Sequence, residues 1–289
     1  PWFYVNREAF YDFLERAPGH ITVMYGCHEA IAPDFMLFDY YIGLDTVPGS
    51  DRTVKLPYLR HHLEEVHGGK EGLDAHALLA SKTGFCNFIY ANRKSHPNRD
   101  AMFHKLSAFR FVNSLGPHLN NTPGDGHRAE DWYASSIRMK KPYKFSIAFE
   151  NAWYPGYTSE KIVTSMLAGT IPIYWGNPDI SREFNSASFI NCHDFPTLDD
   201  AAAYVKKVDE DDNLWCEIMS RPWKTPEQEA RFLEETERET AKLYKIFDQS
   251  PEEARRKGDG TWVSYYQRFL KRGHRMQLAW RRLKNRLRR

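Results

Sequence analysis

What this chain lacks narrows it first. No run among its 289 residues approaches the ~18–20 apolar residues that cross a bilayer, and no secretion signal opens it. Cysteine is scarce: Cys27, Cys86, Cys192 and Cys216 lie far apart, without the paired spacing of a zinc site. They read as reduced thiols of a cytosolic protein and not as a disulfide frame. GxGxxG after a strand is absent, as is GxxxxGKS/T, which excludes the usual dinucleotide fold and the P-loop enzymes. HExxH is missing too, and no DxD-type acidic pair offers itself to a metal–phosphate group. Asp211-Asp212 sits in an acidic helical run and reads as solvated surface. The expected metal ligands are therefore none, and a phosphate-bearing ligand has to be met by Lys, Arg and helix N-termini.

Acid is missing from one place only. Residues 271–289, KRGHRMQLAWRRLKNRLRR, hold nine Lys and Arg and no Asp or Glu. The remaining 31 basic residues face 38 acidic ones, a balance of −7, so the formal charge of +2 is local to a tail. By charge the body is no nucleic-acid binder. Aromatics at 15% suit a sugar-handling surface and a well-filled core equally well.

Along the chain, HITVMYG (20–26), MLFDYYIGLD (36–45) and FCNFIYA (85–91) have the β-branched and aromatic content of strands. A helical pattern runs from Arg99 to about Ser114, and the breaker-rich GPHLNNTPGDGH (116–127) is the candidate domain boundary. Residues 60–82 give no clear assignment. Beyond them the alternation sharpens: strand YKFSIAFE, helix TSEKIVTSMLAG with a glycine C-cap, strand TIPIYWG, a short helix near Asp179–Phe184, strand SFINC, and a helix from Leu198 to about Val208. That order predicts a parallel, doubly wound sheet, with helices from about Asp211 onward.

The joint FENAWYPGYTSEKI (149–162) carries the densest chemistry. It lies where a strand ends and a helix starts, and in open α/β sheets ligands bind at that edge. First-turn N–H groups lack internal partners and favour an anion. Lys161 beside them is unfavourable to the helix alone, and a bound phosphate would resolve the conflict. Glu160 could accept two hydrogen bonds from a vicinal diol. The other reading has Thr158 as the cap, with Glu160 and Lys161 as solvated surface. Pattern alone leaves both open.

Residues 143–195 contain KFSIAFEN, YTSEK, IPIYWG and SFINCHDF in order. In these motifs and their spacing the chain resembles the bacterial α1,3/4-fucosyltransferases of glycosyltransferase family 10. Weaker likeness extends upstream through PDFMLFDYYIGLD, DRTVKLPYL and FIYANRKSHPNRDAMFHKL. The resemblance implies an α/β protein with the GT-B arrangement of two Rossmann-like domains. The expected divisions are an acceptor-side domain at 1–120, a GDP-sugar domain at 121–250 and a helical basic tail at 251–289. The opening PWFYVNREAFYDFLERAPG enters the first domain partway, so that domain is expected to be trimmed or reduced.

The implied activity is inverting transfer of L-fucose from GDP-fucose to N-acetylglucosamine of a lactosamine-type glycan, giving a Lewis-antigen-like surface polysaccharide without a required cofactor. Lys161 and Arg99 match the family's diphosphate-binding residues and Glu160 its ribose-binding acid. Glu150, Asn151 and Tyr157 match its donor loop. Glu29 stands where the family places its base, with Ala30 and Ile31 replacing a Ser-Pro pair; His28 is the alternative. A transferase for another nucleotide sugar, or a non-catalytic nucleotide-sugar or glycan-binding protein, are the competing readings.

In the tail, Trp280, Leu283 and Leu287 recur at helical spacing among arginines, a pattern that suits an anionic membrane surface. Residues 273–289 are thus expected to hold the protein peripherally on the inner face of a bacterial cytoplasmic membrane. An RNA- or partner-binding arm and a docking helix with solvated arginines remain alternatives for them.

Overall fold

The computed structural model describes residues 7–16, 19–26, 29–44, 47, 49–56, 72–123, 131–258 and 260–287. It divides into two compact units: residues 57–235, and a second assembled from residues 1–56 and 236–289.

The unit of residues 57–235 is built on five parallel strands. They are β4 (Gly84–Phe88), β5 (Val112–Ser114), β6 (Tyr143–Phe149), β7 (Ile171–Trp175) and β8 (Ile190–Asn191), in the spatial order β5-β4-β6-β7-β8. The helices between them are α3 (Asn98–Ser107), α4 (Trp132–Lys140) and α5 (Glu160–Leu167). Before the sheet comes α2 (Ala75–Ala80), and after it α6 (Leu198–Glu210) and α7 (Asp212–Ser220). Both faces of the sheet are covered, which is why β7 reads IPIYW and is buried at every position. On one face Phe145, Ile147, Phe149, Ile171, Ile173 and Trp175 meet Met102, Phe103, Val205 and Trp215. On the other, Ala148 and Tyr174 meet Ile162, Val163 and Met166 of α5. The alternation along β6 is the period of two that a strand imposes, and each large side chain so buried contributes roughly 1.5–3 kcal/mol.

The second unit carries a three-stranded parallel sheet, β1 (Val23–Gly26), β2 (Tyr40–Gly43) and β3 (Thr53–Lys55), in that order. Phe10, Tyr11 and Leu14 of α1 (Arg7–Arg16) pack with Leu37 and Phe38, and with Tyr266 and Leu270 of the last helix, α10 (Thr261–Arg286). Between come α8 (Pro226–Asp248), within which the division falls, and α9 (Pro251–Ala254). Asp39 ties the distant parts of the chain together. Its fully buried carboxylate accepts the N–H groups of Thr22 at 2.7 Å, Arg256 at 2.9 Å and Lys257 at 2.6 Å.

The parallel sheet and most of its strands lie where the sequence reading put them. Three features differ. The helix expected to reach Ser114 stops at Ser107, and residues 112–114 form β5, because Val112 pairs with Cys86 and is fully buried beneath α3. The breaker-rich segment after β5 separates no domains, since β4 and β5 before it and β6 after it share one sheet. The short helix near residue 180 is a single 3₁₀ turn, Ile180–Arg182.

Candidate functional site

The strand order makes β4 and β6 a topological switch point. The chain leaves β4 through α3 toward one edge of the sheet and leaves β6 through α5 toward the other, so a crevice opens between their carboxyl ends. The residues entering it from the β4 side are Tyr90, Asn92, His96 and Arg99. From the β6 side come Glu150, Asn151 and the start of α5.

On the β6 side the sequence Tyr154-Pro155-Gly156-Tyr157 closes a turn in which the Tyr157 N–H donates to the Tyr154 carbonyl at 3.1 Å. Gly156 has φ +77°, the left-handed value that a type II turn requires at its third residue, and Pro155 supplies the fixed φ before it. The buried Asn177 pins the loop: its Oδ1 accepts the Gly156 N–H at 2.8 Å and its Nδ2 donates to Thr158 Oγ1 at 3.0 Å. Thr158 is thus occupied elsewhere and does not cap α5.

Glu150, the residue after β6, anchors the N-cap residue of α5, Ser159. Glu150, fully buried, accepts the Ser159 N–H at 2.8 Å, the Ser159 hydroxyl at 2.7 Å and the Lys161 ammonium at 3.0 Å. Lys161 also reaches Glu160 at 3.9 Å. The lysine that looked misplaced at a helix start is therefore neutralised in part by the chain itself. Burial would lower the Lys161 ammonium, yet Glu150 and Glu160 outweigh it and hold the group well above its ordinary value. Burial raises Glu150 against the pull of Lys161. For Glu160, burial is outweighed by Lys161, its own N–H, Lys140 and Ser159, and the carboxyl is held low. Gly176 follows β7 at φ +149°, where a Cβ would stand 2.5 Å from Glu150 Cβ; only glycine leaves room for that carboxylate.

On the β4 side Arg99 is fully buried. Its guanidinium lies 4.2 Å from the Tyr90 ring centre, donates to Asn151 Oδ1 at 3.2 Å and also donates to the Asn92 carbonyl. Its Nε is buried with no hydrogen-bond partner, 3.9 Å from Asp100. Burial lowers its pKa, Tyr90, Asp100, Tyr157 and Glu150 oppose, and an arginine stays charged throughout. The His96 N–H donates to the Asn151 carbonyl at 2.8 Å and its ring lies 4.4 Å from that of Trp175. The Tyr90 hydroxyl donates to the Ile147 and Phe149 carbonyls, at 2.9 and 3.1 Å, and accepts the Phe149 N–H at 2.8 Å, locking the two sides together.

All six residues expected at a donor site, Arg99, Glu150, Asn151, Tyr157, Glu160 and Lys161, are thus gathered at one crevice. Arg99, Glu150 and Tyr157 are buried, whereas Asn151, Glu160 and Lys161 are partly exposed. Glu29 lies in the other unit, exposed on the loop after β1. His28, its alternative, is outside the described residues, as are residues 45 and 57–59 of the upstream likeness. Among the described residues no cluster of three His, Cys, Asp or Glu side chains is placed to hold a metal ion. The sequence reading missed Tyr90, Ser159 and Gly176; only the position of each at a strand end or helix start could have marked it.

Residues 79–255 match the family model described as glycosyltransferase family 10 (fucosyltransferase), C-terminal. An alpha-(1,3)-fucosyltransferase of Helicobacter pylori is 30% identical over 238 residues, 71% of this chain and 48% of that one, so the chain spans about half the length of that relative. A GDP-fucose protein O-fucosyltransferase 3 of Xenopus laevis is 37% identical over 131 residues, 44% of this chain and 28% of the relative. A crystal structure of an alpha1,3-fucosyltransferase with GDP-fucose superposes with a TM-score of 0.58 at 29% identity, covering 70% of this chain and 67% of the other. Motif order, sheet order and the matched 79–255 span agree, and the chain belongs to glycosyltransferase family 10, the fucosyltransferases.

Proposed function

We propose that this protein transfers L-fucose from GDP-fucose to the N-acetylglucosamine of a lactosamine-type glycan, inverting the anomeric centre. The observation that carries the donor assignment is the convergence of Arg99 and Lys161, from opposite sides of the switch point, on one crevice at the start of α5. A diphosphate there meets two cations and the free N–H groups of a helix start, which together can neutralise it without a required metal. Arg99 Nε is a buried donor that a phosphate oxygen would satisfy. Glu160 takes the ribose hydroxyls. Glu150, Asn151 and Tyr157 hold the two cations and the loop in place.

In the reaction the acceptor oxygen attacks the anomeric carbon from the face opposite the diphosphate. The carbon–oxygen bond to phosphate breaks, and GDP leaves with its electrons. Glu29, exposed and on a loop at a strand's carboxyl end, takes the acceptor's proton. The likeness to relatives named for a sugar linkage and for protein O-fucosylation supports the donor more strongly than the acceptor. A hydroxyl of a protein is therefore the second acceptor reading.

Association with an anionic membrane surface, and with it a place on the inner face of the cytoplasmic membrane, is the further part of the proposal. Among the described residues no helix is long and apolar enough to cross a membrane. On α10, however, Trp262, Tyr265, Phe269, Met276, Trp280 and Leu283, continued by Leu287, are all exposed and follow one another at steps of three, four and seven. Tyr266 and Leu270 face α1 instead. Such a helix has one docked side and one apolar stripe edged with arginines.

The test is to incubate the protein with GDP-fucose and measure GDP release with and without N-acetyllactosamine. Acceptor-dependent release supports the reading. Tight donor binding without turnover favours a binding protein, and release only with another nucleotide sugar moves the donor.

A further inference from the structure

Beneath the donor crevice lies a buried amine that the proposed mechanism leaves unused. Lys140, the last residue of α4, is 5% exposed, and its Nζ meets only uncharged oxygens, all on α5. It donates to Thr164 Oγ1 at 2.6 Å, Ser165 Oγ at 3.2 Å and the carbonyl of Lys161 at 3.5 Å. The two hydroxyls also donate to that same carbonyl, at 3.3 and 2.7 Å. Ser165 Oγ continues to Ser146 Oγ at 3.1 Å, and Ser146 to Asn87 Oδ1 at 2.9 Å. An uncharged chain of hydroxyls and an amide therefore runs from Lys140 through α5 and β6 to β4, under the switch point.

The charges of the crevice leave no positive surplus: Arg99 and Lys161 stand against Glu150 and Glu160, and Asp100 lies 3.9 Å from Arg99. A GDP-sugar brings two negative charges that this set does not offset. The charged groups facing Lys140 are Glu160 and Lys161, both on α5; β6 and β4 present Ser146 and Asn87. Burial holds the ammonium down to about 7, with Glu160 raising and Lys161 lowering it. Near neutral pH the amine is thus only partly protonated before the donor arrives. The hydroxyls it meets, on Thr164 and Ser165, lie about one helical turn, ~5 Å, along α5 from Lys161, and in that buried setting a diphosphate at Lys161 favours the charged form.

We infer that Lys140 is the reserve cation of the donor site: it takes up a proton when the nucleotide sugar binds, and its ammonium then fixes the first turn of α5 through the Lys161 carbonyl. The inference rests on the proposed reading of the crevice as a GDP-sugar site. The sign follows from the linkage. Binding that raises the pKa of Lys140 is tighter at low pH and weakens as pH rises from about 7 through the higher value of the bound state.

The experiment is calorimetric titration of the full chain with GDP-fucose, without acceptor, in buffers of different ionisation enthalpy and from pH 6.5 to 8.5. GDP-fucose is the right probe because both of its phosphates are esterified and neither titrates in this range, unlike a terminal phosphate with its second pKa near ~6. The wild type is expected to take up a substantial part of one proton at pH 7.5 and to lose affinity several-fold across the range. Lys140→Met, similar in length and uncharged, should abolish the uptake, flatten the profile and bind weakly throughout. Lys140→Arg, charged at every pH, should also be flat but bind more tightly than Lys140→Met. Uptake that survives in Lys140→Met overturns the inference, as does wild-type binding without uptake. A wild type that binds no GDP-fucose overturns the donor reading itself, and this inference with it.

Discussion

The buried pair Glu150–Lys161 should be energetically coupled, and a double-mutant cycle measures by how much. At 3.0 Å with an effective dielectric constant of ~20, the gross attraction is about 5–6 kcal/mol. Glu150 is fully buried and the Lys161 side chain only 16% exposed, so desolvation removes a large part of that. Glu150→Gln keeps the shape but gives one acceptor where there were two. Whichever way the amide turns, a donor faces either the Ser159 N–H or the Lys161 ammonium, and an unsatisfied buried donor costs about 1–3 kcal/mol. Lys161→Met leaves the carboxylate with Ser159 alone. Each single substitution should lower stability by roughly 2–4 kcal/mol, and the double variant should recover about 1.5–3 kcal/mol relative to their sum. Urea unfolding of the four proteins, with m-values unchanged between them, reads the coupling. Additivity within about 0.5 kcal/mol would refute the strut between β6 and α5.

Gly176→Ala should destabilise the protein by roughly 2 kcal/mol or more and weaken GDP-fucose binding, because its Cβ would displace Glu150; a threonine-sized residue should do worse. Glu29→Ala should leave GDP-fucose affinity within about twofold of wild type and abolish turnover, and turnover near wild type would remove Glu29 as the base. At Asp39, burial works upward, but the N–H groups of Lys257 and Thr22, the Thr22 hydroxyl and the Arg256 N–H together hold the carboxyl below its ordinary value. Its contribution is therefore present above the unfolded value and lost as pH falls through the lower folded one. Asp39→Asn should be less stable near pH 6 yet lose less stability on acidification below about pH 4, which thermal unfolding at several pH values would show. Deleting residues 273–289 should end sedimentation with anionic vesicles at low salt, and wild-type binding that does not weaken with salt would count against the membrane proposal.

The sheet of residues 84–191 was legible because its strands are apolar on both faces and alternate with short helices. β5 was not, because three residues become a strand only by pairing with β4, and Ala-Phe-Arg-Phe before them continues a helical pattern locally. The site was legible in its membership but not in its wiring. A local reading saw Lys161 at a helix start and asked for an absent anion; the partner it has in the structure lies eleven residues earlier, just past the end of β6. Lys140 gave no signal at all, since its burial depends on α4 packing against α5. The domain division was hidden for the same reason: Asp39 and Lys257 are joined across 218 residues.

The make-up of the second unit bears on how the protein is synthesised. Its sheet is translated before residues 57–235, yet the groups that complete it are translated after them. The Arg256 and Lys257 N–H groups on Asp39, Ile246 beside Tyr40 and Val54, and Tyr266 and Leu270 against α1 all come after residue 236. Residues 57–235 hold their own core and can fold while the ribosome is still adding the rest. Residues 1–56 must wait. A polypeptide cut before residue 240 would then hold a formed donor crevice and an unfinished sheet, and chaperone dependence should be greatest for that incomplete chain. Any shortening meant to probe the tail has to stop beyond Lys271, which still pairs with Asp12 at 2.7 Å.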